Sequence, residues 1–389
     1  MFRSENILHC LGSVTSFCCS DKKGILSWPN TSPEKLFFLK KTENIKDSND
    51  VFHDDDEDEE NTEQKYSIVP EILTISQDHN NPYQVQFDDP NWKQHLPSLK
   101  PLGLSVLLNT CNVETEEKYT DFYYFLVRES NQTSCGNIGK SPVPDLLPIP
   151  ARGCLCQLSQ KIGITQQLED KFKLVHQLQT YKPLSAETSQ SSFTRNLTMA
   201  RLKFPFPHQV SVVAKECEDG RLSLLSQGSA DVVIDSCSDA WTGHDLVSLS
   251  PDLRKKCSEF YQRASLTSYC TTFAYKPIVS ESFLDADSNE YIELPSFIPC
   301  IVQNQLHDPD SVSLSSLNEK MLHHESSDIL TTLHCQSFLG MVQMQYQAEW
   351  VTEIFGTFHV SGKKGSLKPT LGLVPLLFIN YCSRTTTLH

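Results

Sequence analysis

The chain has 389 residues, room for about two domains of ordinary size, and 39% of them are apolar, enough to bury a substantial core. Thirty-three basic residues against forty-eight acidic ones give a net charge of −15, and seven of those negatives fall in the run Asp54–Glu60, leaving −8 for the rest. That balance excludes a broad nucleic-acid or phospholipid surface, which would need a local excess of Lys and Arg.

No apolar run approaches the 18 or so residues of a membrane helix; the best, Leu371–Ile379, is half that length and holds a proline. The N-terminus lacks the basic-then-apolar order of a secretory signal. The fourteen cysteines are scattered, a pattern that reads as reduced thiols of a cytosolic chain rather than a disulfide framework. The sequons at Asn30, Asn131 and Asn196 are of the kind that arise by chance in a Ser/Thr-rich sequence. These features predict a chain with no direct membrane insertion of its own.

In chain order, the apolar stretch Val14–Cys19 predicts a strand that ends on Ser20-Asp21 before the turn residue Gly24. A carboxylate there would lie at the carboxyl end of a strand, where open α/β sheets hold ligands. Residues 43–64 are charge-dense and short of large apolar groups, and they read as a solvated loop. Leu104–Leu108 and Tyr123–Val127 read as strands, and the Pro/Gly-rich stretch Cys135–Gly153 as a break. Ile164, Leu168, Phe172, Val175 and Leu178 recur at steps of four, four, three and three, which predicts an amphipathic helix. Val210–Val213 and Leu222–Leu224 flank Glu218-Asp219-Gly220, a hairpin signature.

Ser250-Pro251 predicts a helix start, with Leu253, Cys257, Phe260 and Ala264 on its buried face. A strand over Tyr269–Tyr275, ended by Pro277, a polar loop over 279–328 and a strand over Phe338–Val342 complete the pattern. The fold class expected is α+β, an antiparallel sheet with helices held between short flanking strands. No zinc pattern appears, since Cys154-Leu155-Cys156 and His323-His324 lack second ligand pairs. No GxSxG, HExxH or Walker A segment occurs either.

The residues that carry chemistry begin with Asp21. A strand-end carboxylate followed by lysine and a glycine turn can attack a phosphoryl group to form an acyl-phosphate, with Mg²⁺ neutralising the developing charge. Cys19-Ser20-Asp21-Lys22-Lys23-Gly24-Ile25-Leu26-Ser27 resembles the CSDKTGTLT phosphorylation motif of P-type ATPases, with Asp21 at the phosphorylated aspartate. Lys23 and Ile25 replace the motif's two threonines, which places a long ammonium side chain where a small hydroxyl belongs. Lys23 also stands where dehalogenase-like phosphatases carry their second carboxylate, so that alternative use of Asp21 lacks its acid/base.

Ser226-Gln227-Gly228-Ser229-Ala230-Asp231, with the apolar residues and Cys237 that follow, resembles the same family's KGAPE nucleotide-domain signature. Gln227 takes the lysine's place, Gly228 matches, and Asp231 stands in for the glutamate. Phe204-Pro205-Phe206 resembles the segment whose phenylalanine stacks on adenine, with Phe206 in that role; an ordinary core aromatic ahead of a strand fits the same residues. Ser265–Lys276 is similar to the closing strand of that domain, and Phe338–Val342 to the strand that re-enters the phosphorylation domain. The family's arginine before the first of these, and its DPPR hinge after the second, are missing.

From about residue 14 to 348 the landmarks are similar to those of a divergent, P-type-ATPase-like branch of endoplasmic reticulum membrane proteins associated with magnesium uptake. Trp28-Pro29-Asn30, Phe260–Ala264 and Phe273–Pro277 add to that match. The resemblance implies a start of a phosphorylation-like domain over 1–31, a nucleotide-binding-like domain over 32–330, a returning strand over 331–348 and an unmatched tail over 349–389. It implies ATP and Mg²⁺ as cofactors, with Phe206, Gln227 and Gly228 in the nucleotide pocket and no protein-held metal site. It further implies the cytosolic face of the endoplasmic reticulum membrane, with the membrane domain of the full-length protein as partner. TGD and GDGxND segments do not occur. The expectation is therefore a truncated portion that does not turn over on its own, with a non-catalytic regulatory or interaction module as the alternative.

Overall fold

The computed structural model describes residues 31–43, 66–77, 84–132, 152–183, 206–278, 291–294 and 332–346. The chain divides into two units, one of Ser32–Gln345 and one of Met1–Thr31 with Tyr346–His389. In the second unit only Thr31 and Tyr346, the outermost residues of two strands, are described. Asp21 and its motif, the acidic run, residues 133–151, most of 279–331 and the tail 349–389 lie outside the described residues.

Within Ser32–Gln345 the strands are β1 (Thr31–Glu43), β2 (Tyr66–Gln77), β3 (Val85–Phe87), β4 (Phe172–Tyr181), β5 (His208–Glu216), β6 (Leu222–Gly228), β7 (Cys237–Trp241), β8 (Leu246–Ser248), β9 (Tyr269–Ile278), β10 (Tyr291–Glu293) and β11 (Gln336–Tyr346). The helices are α1 (Leu96–Thr110), α2 (Val113–Gln132), α3 (Arg152–Ile162), α4 (Gln166–Glu169), α5 (Ala230–Val233) and α6 (Pro251–Thr267). The strands form one sheet in the order β10-β4-β5-β6-β9-β11-β1-β2-β3, with β7 pairing with β11 and β8 with β7. Most assigned pairs are antiparallel; β10–β4 and β7–β11 are parallel.

The sheet is covered on both faces, and β1 shows why its sequence carries no polar alternation. Leu36 and Phe38 enter one core with Leu99, Leu102 and Val106 of α1, Leu155 and Leu158 of α3, and Phe273 of β9. Phe37 and Leu39 enter the other with Val233 of α5, Leu253, Cys257 and Tyr261 of α6, and Phe338 of β11. The central run Leu36–Leu39, whose alternate residues both face packed layers, is apolar at four successive positions. A third core, under α2, joins Phe122, Tyr123, Leu126 and Val127 to Tyr181, Phe206 and Val210.

Several local expectations hold. β5 and β6 form the predicted hairpin, with Gly220 at φ 74° and Asp219 Oδ1 accepting from the Arg221 N–H at 3.2 Å. Ser250 caps α6 by accepting from the Leu253 N–H, and Leu253, Cys257 and Ala264 of the predicted face are buried.

Others are overturned. Leu104–Leu108 and Tyr123–Val127 are helical, inside α1 and α2. Of the helix predicted from Ile164 to Leu178 only the short α4 forms; from Phe172 onward the same residues make the strand β4. Pro277 does not end β9; it lies opposite Ser223 one residue before the strand's end, where a missing donor is tolerated. The polar stretch 279–328 contains β10. β11 lies inside the same sheet, paired with β9 and adjacent to β1. Cys111 and Cys156, read from the sequence as separate thiols, are paired in the structure, Cα–Cα 5.8 Å.

Candidate functional site

The sheet brings Phe206, Gln227 and Gly228 to one end of the β5–β6 pair. Gln227 faces Val210 and Gly228 faces Gln209 across the ladder, and Phe206 precedes β5 by two residues. The three landmarks read from sequence are therefore neighbours. Asp21 lies outside the described residues.

Their surroundings are interior. Phe206 is 5% exposed and sits 5.9 Å, centroid to centroid, from the Tyr181 ring, within the aromatic core under α2. With so little ring surface open, a purine has no face to stack on. Gln227, also 5% exposed, accepts at Oε1 from the Thr110 hydroxyl at 2.9 Å, and its Nε2 donates to the Asn109 carbonyl at 3.5 Å. Its amide thus closes the sheet against the last turn of α1.

Gly228 has its own structural reason. A Cβ there would lie 2.2 Å from the His208 carbonyl oxygen and 2.8 Å from Gln209 Cα. Only glycine allows that approach. The contact is locked by Ser229, whose N–H and Oγ both donate to the His208 carbonyl, at 2.9 and 3.1 Å, while Oγ accepts from the His208 N–H at 2.9 Å. Asp231 lies in the first turn of α5.

The residue that sequence reasoning missed is His208. Its Nε2 lies 3.3 Å from the Tyr119 hydroxyl and its Nδ1 3.3 Å from the Phe206 carbonyl oxygen. Burial pushes its imidazole down to about 4, so it is neutral at pH 7. Burial also raises the Tyr119 phenol and lifts Tyr123 and Tyr181 to about 12. A single histidine after Phe-Pro gives no sequence signal of such a role. On the other face, Gln209 donates to the hydroxyls of Ser211 and Ser226 at 3.0 and 3.2 Å, and those two hydroxyls lie 2.7 Å apart.

Among the described residues, the side chains that Phe206, Gln227 and His208 meet are neutral amides, hydroxyls, phenols and aromatic rings, most of the polar ones already hydrogen-bonded to each other. Lys182 stands at the same end, its N–H donating to the Pro207 carbonyl at 2.9 Å and its ammonium 3.9 Å from the Asp235 carboxylate. A nucleotide triphosphate needs cations or free N–H groups for its phosphates and an open aromatic face for its base. In this arrangement Phe206, Gln227 and Gly228 do not fit Mg-ATP. Among the described residues no group of three or more His, Cys, Asp or Glu side chains could hold a metal ion. Among them, too, no helix is long and apolar enough to cross a membrane.

No protein-family model matches the chain. Two curated relatives are transmembrane protein 94 of Mus musculus, 31% identical over 448 aligned positions, and transmembrane protein 94 of Homo sapiens, 33% identical over 447. Each match covers 89% of this chain and 32% of the relative, so the chain spans about a third of the length of the curated relatives it matches. Aligned over nearly nine-tenths of its own length, the chain belongs to the transmembrane protein 94 family.

Proposed function

We propose that Ser32–Gln345 is an extramembrane, cytosolic-face portion of a P-type-ATPase-like membrane protein that serves magnesium uptake into the endoplasmic reticulum. Within it this unit acts as a non-catalytic regulatory or interaction module that keeps a nucleotide-domain-like architecture. The order of motifs supports the P-type-ATPase-like part of the reading: the Asp21 segment, Phe206, Gln227-Gly228 and Phe338–Val342 follow one another as in that family. The family name, transmembrane protein 94, supports a membrane protein.

The observation that carries the non-catalytic part is the burial of the three would-be pocket residues. Each has a structural occupation: Phe206 fills a core, Gln227 ties β6 to α1, and Gly228 permits the approach of the β5 backbone. A side chain that must leave the core to meet its ligand would lose the stability of its burial. The test is phosphoenzyme trapping. The full-length protein is incubated with Mg²⁺ and γ-labelled ATP, quenched in acid and counted. The proposal expects no label above that of Asp21→Asn; acid-stable label that disappears in Asp21→Asn would establish a catalytic protein instead.

A further inference from the structure

The pairing of Cys111 with Cys156 reaches beyond what the family relationship supplies. Cys111 is buried at the C-cap of α1, its N–H donating to the Leu107 carbonyl at 3.2 Å. It follows Thr110, which holds Gln227, and precedes Asn112, whose Oδ1 accepts from the N–H groups of Glu114 and Thr115 to start α2. Cys111 is thus the corner between two helices and the sheet. Cys156 is half-buried on α3, 45 residues along the chain. The Cα–Cα separation of 5.8 Å lies well within the range a disulfide needs.

The remaining contacts of α3 define what the bond controls. Leu155, Leu158 and Ile162 sit in the α1 core, and the Ser159 hydroxyl donates to the Gly103 carbonyl at 3.0 Å. Leu158, Ser159 and Ile162 hold the second half of α3 with or without the bond. In the first half of the helix Leu155 is a buried anchor and Cys156 the covalent one. Five other cysteines whose side chains are described are differently placed. Cys237, Cys257 and Cys270 have thiols driven upward by burial, which makes them poor nucleophiles, and Cys217 and Cys335 are exposed.

We propose that Cys111 and Cys156 form a reversible redox clamp that fixes the first turn of α3 to the α1–α2 corner. The oxidant class is a small-molecule disulfide such as oxidised glutathione. One cysteine thiolate attacks it and expels one glutathione thiolate, and the second cysteine thiolate then attacks the mixed disulfide and expels the other. Two thiols lose two electrons and two protons, and one glutathione disulfide becomes two glutathione thiols. In a reducing compartment the resting form is the dithiol, and oxidation closes the clamp. The half-buried Cys156 sulfur is the point of entry for an attacking thiol, and Cys111 is the shielded partner.

The experiment equilibrates the chain in glutathione buffers from fully reduced to fully oxidised, quenches by alkylation, and maps peptides without reduction. The same samples are followed by hydrogen exchange. The proposal expects a Cys111–Cys156 linked peptide that appears and disappears reversibly. It also expects exchange over residues 152–158 to accelerate at least several-fold in the reduced chain and in Cys156→Ser, with β5, β6 and β9 unchanged. Should Cys156→Ser fail to fold, the reduced wild-type chain gives the same readout. Failure of the linked peptide to form in excess oxidised glutathione would overturn the proposal. So would a linked peptide whose reduction leaves exchange over 152–158 unaltered.

Discussion

Replacing Gln227 by lysine separates the two accounts of this region. The P-type ATPase signature carries lysine at this place, so a working nucleotide pocket would gain a phosphate contact at little structural cost. The burial described above gives the opposite result. The Thr110 hydroxyl loses its acceptor, worth about 1–3 kcal/mol when the orphaned group stays buried. The new ammonium must leave water or lose its proton. Losing the proton at pH 7 costs about 4.6 kcal/mol from a normal lysine value, and this caps the charge penalty. Allowing for partial escape of the long side chain to solvent, the account predicts at least about 3 kcal/mol of destabilisation. With a urea slope of about 3 kcal/mol per molar, the unfolding midpoint falls by about 1 M.

The sign of the pH dependence is fixed too. A buried lysine has a folded value below its unfolded one, so between the two the unfolded chain holds more protons and stability rises with pH. The deficit of Gln227→Lys should shrink from pH 7 toward pH 10, while Gln227→Met, which loses only the hydrogen bond, should show a smaller, pH-independent deficit. Urea titrations followed by circular dichroism at pH 7 and 9.5 measure both. A Gln227→Lys chain with the wild-type midpoint, or one that acquires saturable Mg-ATP binding, would refute the reasoning.

Two further outcomes rest on the same hairpin end. Gly228→Ala drives a methyl into the His208 carbonyl, a backbone clash that side-chain rotation cannot relieve, and should cost about 2–3 kcal/mol in urea unfolding; a cost under about 0.5 kcal/mol would mean that β5 and β6 are spaced differently. His208, with a folded value of about 4 against about 6.5 unfolded, is neutral in the fold. Its stabilisation is intact above pH 6.5 and is lost as pH falls toward 4, by about 3 kcal/mol, so stability between pH 7 and 4 should fall less steeply in His208→Gln. His95, His176 and His334, also lowered by burial, add to the slope that remains.

The sequence was most legible where local chemistry decided the structure. The Asp219-Gly220 turn and the Ser250-Pro251 cap were both found because their signals act within four residues. Legibility failed where tertiary burial removed periodicity. α1 is enclosed by the sheet and by α3, to the point that a Cβ on Gly103 would lie 3.1 Å from Ile164 Cγ1. It therefore has no polar face to mark a helix, and its Pro101 and Gly103 argue against one. Tyr123–Val127 is aromatic and β-like over five residues, and only the acidic first turn of α2 reveals the helix. β4 shows helical spacing by coincidence, because the bulge between Leu174 and His176 shifts its alternation.

The candidate site followed the same division. The motifs located Phe206, Gln227 and Gly228, and the ladder places them together, but nothing local to those residues says that α1 and α2 cover them. Thr110 lies 117 residues from its partner Gln227, and Tyr119 lies 89 from His208. Such contacts are set by packing and leave no trace in the spacing of either segment. The Cys111–Cys156 pair is of the same kind.

The most direct measurement is an amide-resolved titration of the isotopically labelled chain with Mg-ATP, read at Phe206, Gln227 and Gly228. The account predicts a folded, well-dispersed spectrum in which these three resonances stay fixed up to millimolar nucleotide. A saturable, concentration-dependent shift at all three, absent with Mg²⁺ alone, would contradict it.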